Sequence, residues 1–133
     1  PGDFGANLRA DRPIGKIQQP PQFVLVVFIF IEEMRRGAKG TMQGIALCDI
    51  VRKTWDHFQA GDEIAAESLW NHFQPLVKLY TLGEGQLYWV AKEILRRRGV
   101  FTDAYPRMPA VKPDDGIFRE LDSLMERLGV API

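Results

Sequence analysis

Few residues in this chain are of a type and spacing that could do chemistry. Gly37-Ala38-Lys39-Gly40-Thr41-Met42-Gln43-Gly44 sets glycines closely around a short segment. Backbone of that kind can approach a phosphate, but the Gly-Lys-Ser/Thr ending of a phosphate-binding loop is missing. A brief strand with tight turns at its ends is the expectation instead. His57 and His72 stand at no metal-ligand spacing and Cys48 has no second thiol nearby, so no metal site is expected. Cys48 reads as a small core residue on a helix, not as a nucleophile. Arg96-Arg97-Arg98 before Gly99 is expected to be a solvated cap favoured by the negative end of a helix, not a phosphate contact.

Four amphipathic helices must position these residues. The first carries Cys48, Val51, Trp55 and Phe58 at steps of three and four, and Gly61 with Asp62 stops it and caps the next. The second shows Ala65, Leu69, Phe73, Leu76 and Tyr80, with a kink expected at Pro75. The third shows Leu87, Val90, Ala91, Ile94 and Leu95 and ends at the arginine triplet. After a loop punctuated by Pro106 and Pro109, the fourth begins near Pro113-Asp114-Asp115, carries Ile117, Leu121, Leu124 and Leu128, and closes at Gly129. Upstream, residues 1–22 hold four Pro and three Gly and read as an irregular arm. Phe23 to Ile31 is apolar at every position and rich in Val, Ile and Phe, as a strand covered on both sides would be. Glu32 to Arg36 leaves room for about one turn of helix before Gly37.

The composition sets outer limits. The 133 residues carry 17 Lys+Arg against 17 Asp+Glu and are 46% hydrophobic, which fits one globular domain and excludes intrinsic disorder. Zero formal net charge gives no electrostatic reason to expect nucleic acid or an acidic membrane as partner. The nine-residue apolar run is about half of a membrane span, and no small-residue cleavage site follows it, so neither a transmembrane segment nor a signal peptide is expected. A single cysteine makes a reducing compartment, the cytoplasm, the default. The chain begins with Pro, as a processed or truncated product would. It is also too short for a closed (β/α)₈ barrel, which needs roughly 200 to 250 residues.

The order of segments carries a resemblance. RRGAKGTMQGIALCDIVRKTWDHFQAGDEIAAESLWNHFQPLV, then KEILRRRGV, then Arg107-Met108-Pro109, then a last helix ending in LGV, resembles the C-terminal part of the dihydrodipicolinate synthase/N-acetylneuraminate lyase family. The likeness runs from Glu32 to Ile133, while residues 1–30 match nothing in that family. The resemblance implies that Gly-Ala-Lys-Gly-Thr-Met leads into the last barrel strand, that the next helix completes the barrel, and that the remaining helices form a C-terminal bundle. It also implies class I aldolase chemistry, in which a strand lysine forms a Schiff base with a 2-keto acid such as pyruvate. Such an amine needs a desolvated setting.

Lys16, Lys39, Lys53, Lys78, Lys92 and Lys112 are the lysines, and none stands in an apolar strand. The family's Gly-Thr-Thr-Gly-Glu type loop and its proton-relay tyrosine are absent as well. No catalytic residue is therefore assigned. What carries over is Thr41 and Met42 on the last strand beside the pocket, Met42 through its backbone, with Gln43 and Gly44 at the rim. Trp70 and Trp89 lie off the helical stripes and are expected to pack against a missing barrel or another subunit.

The expectation is a mainly α chain: a C-terminal fragment of a TIM barrel, last strand and helix, plus the family's helical bundle. It divides into the arm (1–22), remnant barrel strands with a short linker helix (23–44) and a C-terminal helical region (45–133). Its expected function is that of part of a Schiff-base lyase or dehydratase for 2-keto acids, inactive alone, needing no cofactor and binding neither nucleic acid nor membrane. Its assembly would be a homo-oligomer or association with the missing barrel portion. The alternative is a non-catalytic helical interaction or oligomerisation module. Nucleic-acid binding through the arginine triplet ranks last.

Overall fold

The protein is described here by a computed structural model covering residues 29–81, 86–107 and 109–133. Helix α1 spans Phe30–Arg35 and buries Phe30, Ile31 and Met34 while Glu32, Arg35 and Arg36 face water. The strand expected over Phe23 to Ile31 is thus corrected at its end, where Ile29 caps a helix; its part over 23–28, like the arm, lies outside the described residues. Buried positions at i, i+1 and i+4 have helical spacing, which the unbroken apolar run had concealed. As expected, α1 is a short piece that stops at Gly37, whose φ of 89° is open to glycine.

Residues 41–44 form no strand, correcting the expectation of a brief strand there. They run as an irregular link, extended at Gly44, into a 3₁₀ turn at Ile45–Leu47 and helix α2, Cys48–Gln59. A strand needs a neighbour to take its backbone hydrogen bonds, and none stands beside this link among the described residues. Helix α2 ends in a Schellman closure at Gly61, with Gly61 N–H donating to Phe58 O and Asp62 N–H to His57 O. Asp62 then caps helix α3, Glu63–Thr81, its Oδ1 accepting from Ala65 N–H at 3.1 Å. Helix α3 passes through Pro75 as one element. Helices α4, Gln86–Arg97, and α5, Asp115–Arg127, close in the same way at Gly99 and Gly129. Asp114 caps α5, its Oδ1 accepting from Ile117 N–H at 3.0 Å.

Helix α3 is the hub, touching α1, α2, α4 and α5. Its buried residues Ala66, Trp70, Phe73, Leu76, Val77 and Leu79 cover more than one stripe, as a helix surrounded by others must. Trp70, expected to face outward, is only 2% exposed and meets the Phe30 ring edge-on at 5.2 Å. On α2 the buried side runs through Ile50 and Thr54, so Val51, Trp55 and Phe58 are half-buried and Cys48 is exposed, contrary to its expected core position. On α4 and α5 the expected stripes hold: Val90, Ile94, Leu95, Leu121, Leu124 and Leu128 are buried. The fold is mainly α with no strand among the described residues, and none of its described helices is long and apolar enough to cross a membrane.

Candidate functional site

The segment assigned to a pocket wall lies between α1 and the 3₁₀ turn. Gln43 Nε2 donates to Thr41 Oγ1 at 3.1 Å, and Gln43 Oε1 is buried without a hydrogen-bond partner among the described residues. Thr41, Gln43 and Gly44 are half-buried, while Met42 is 67% exposed and Ile45 60%. The structure therefore keeps the four expected residues on one short link and turns the Met42 side chain out into solvent.

Two residues beyond Gly44 the chain is gripped by Arg98. This guanidinium is 3% exposed, donates through Nη1 to the Ala46 carbonyl at 3.0 Å, and meets both Asp49 oxygens at 2.8 and 2.7 Å. Its Nε donates to the Ala131 carbonyl at 3.0 Å, and its own carbonyl accepts from Ile133 N–H at 3.0 Å. The Arg98 hydrogen bonds hold the Asp49 carboxyl below the usual carboxylate range, against the opposing effect of burial. Of the triplet expected to be a solvated cap, Arg96 alone is exposed, in the last turn of α4, while Arg97 is half-buried and Arg98 buried. Arg96 and Arg97 both bond Glu93, whose carboxyl is held low chiefly by Arg96, and Arg97 also pairs with Asp122. No local sequence signal marks Arg98, because its carboxylate partner comes 49 residues earlier.

Among the described lysines none is buried. Lys39, Lys53, Lys78 and Lys112 are exposed, and half-buried Lys92 donates to the Tyr105 carbonyl at 2.8 Å. Lys16 lies outside the described residues. Trp89 is half-buried, edge-on to Tyr105 at 5.3 Å, with Lys112 Nζ 6.0 Å from its ring centre, so its own chain contributes the contacts expected of another body. His57, Lys53 and Asp56 border a shallow open depression on the outer side of α2, and His72 instead meets the Leu128 carbonyl. No group of three or more metal-ligating side chains occurs among the described residues.

No protein-family model matches the chain, and no curated protein matches it. Among solved structures it is similar to the dihydrodipicolinate synthase of Rhodopseudomonas palustris, with a TM-score of 0.70 and 28% sequence identity. The similarity covers 77% of this chain but 33% of that one, so the chain spans about a third of that protein's length. In the order of its segments and in its helical fold, the chain resembles dihydrodipicolinate synthase over a part of the size expected of a C-terminal fragment.

Proposed function

We propose that the chain is the C-terminal portion of a Schiff-base, class I aldolase-type lyase or dehydratase acting on 2-keto acids, and that it is inactive alone. The observation that carries this reading is the likeness of most of the chain to one third of a dihydrodipicolinate synthase. In this reading Thr41, Met42, Gln43 and Gly44 contribute one wall of the keto-acid pocket, and the rest of the barrel brings the amine. The lysine positions agree: imine formation calls for an amine in a desolvated setting, and every described lysine is exposed or half-exposed. Incubating the protein with pyruvate and borohydride and weighing it tests the proposal. The expected result is the unmodified mass, and a stoichiometric adduct at one lysine overturns it.

A second reading, a helical interaction or oligomerisation module, is favoured by the exposure of Met42 and Ile45. Light scattering tests this second reading. A dimer that grows with concentration supports the module, and a monomer at high concentration removes the need for one.

A further inference from the structure

We propose that Arg98 is a positioning residue that couples the entry to α2, which follows the link Thr41–Gly44, to the segment Val130–Ile133 after α5. A guanidinium presents its donors in one rigid plane, so the direction of Nε cannot be set independently of Nη1 and Nη2. Here Nη1 and Nη2 hold the Ala46 carbonyl and the Asp49 carboxylate at the entry to α2, while Nε holds the Ala131 carbonyl. The backbone of Arg98 is fixed on both sides, its N–H donating to Ile94 O and its carbonyl accepting from Ile133 N–H. Residues 131 and 133 thus hold Arg98 at its side chain and at its main chain together. Release of that segment takes away the acceptor at Nε and the tie on the Arg98 carbonyl, leaving the fork held by the Ala46 carbonyl and Asp49 alone. The fork is then less firmly placed, and the entry to α2 loosens two residues from Gly44. The coupling rests on these contacts, whether or not the link lines a keto-acid pocket.

Hydrogen exchange read by mass spectrometry tests it, comparing the whole chain with one lacking residues 131–133. Val130 is kept because its N–H closes α5 on Met125 O. The amides at the start of α2, residues 48–52, are expected to exchange about tenfold faster in the shortened chain, the loss of roughly one hydrogen bond to a charged group. Amides of α5 are expected to keep their rates. Ile133→Pro removes one N–H from an exposed residue and is expected to speed the same amides about threefold. If the shortened chain loses protection throughout, this milder variant decides. Unchanged rates at 48–52 in Ile133→Pro, or in a folded shortened chain, overturn the proposal.

Discussion

Replacing Arg98 by methionine keeps an unbranched apolar stem in the site and removes every donor. The Ala46 and Ala131 carbonyls then lose their partner, and the Asp49 carboxylate loses both of its bonds. Removing one partner of a buried ion pair costs about 3–5 kcal/mol. The Asp49 side chain remains 36% exposed and water rehydrates it, so the lower end, about 3 kcal/mol, is expected. At about 4 °C per kcal/mol for a domain of this size, the thermal midpoint falls by about 12 °C. Urea unfolding followed by circular dichroism measures the loss, with Arg52→Met as the control. Arg52 pairs with Asp56 one turn away on an exposed face, and its replacement is expected to leave the midpoint unchanged. Arg98→Lys is expected to fall between, since a compact ammonium cannot reproduce the span and the bidentate carboxylate contact of the planar fork. Equal midpoints for Arg98→Met and Arg52→Met would refute the claim that the buried fork holds the fold together.

The depressed carboxyls of Asp49 and Glu93 favour the charged form in the folded state, so their stabilisation is present above the ordinary carboxylate pKa of about 4. It is lost as pH falls through the lower folded values; urea midpoints should drop between pH 7 and pH 3, and Asp49→Asn should start lower and fall less. Trp70→Ala is expected to cost about 3–5 kcal/mol in the same assay, and more than Trp89→Ala, because Trp70 is enclosed and Trp89 is half-open. Gly61→Ala should cost about 1 kcal/mol from its φ of 83° alone, as nothing lies near a Cβ there, whereas Gly40→Ala, without positive φ and equally open, should be neutral.

What the sequence made legible was local. The stops at Gly37, Gly61, Gly99 and Gly129, the cap Asp62, the start of α5 near Pro113-Asp114-Asp115, and the stripes of α4 and α5 each depend on residues within one or two turns. On α3 the expected Phe73 and Leu76 are buried, but Trp70 was missed because a stripe presumes one buried side, and this helix is packed by four others. The face of α2 was legible in part: Val51, Trp55 and Phe58 pack against the core, but its most buried position, Thr54, is polar by type. Arg98 was misread because three arginines at a helix end look alike until a distant aspartate selects one. In the candidate site, the link from Thr41 to Gly44 was singled out by family likeness alone, and its lack of strand pairing depends on neighbours that no local pattern reports.

Cys48 stands on the first residue of α2, exposed, four positions after Gly44, and it is the chain's one cysteine. A thiol-reactive fluorophore or nitroxide would therefore attach at a single known place without any engineered residue. Its emission or spectral linewidth would register directly whether another body settles against Met42 and Ile45, turning an unremarkable side chain into a built-in reporter of docking.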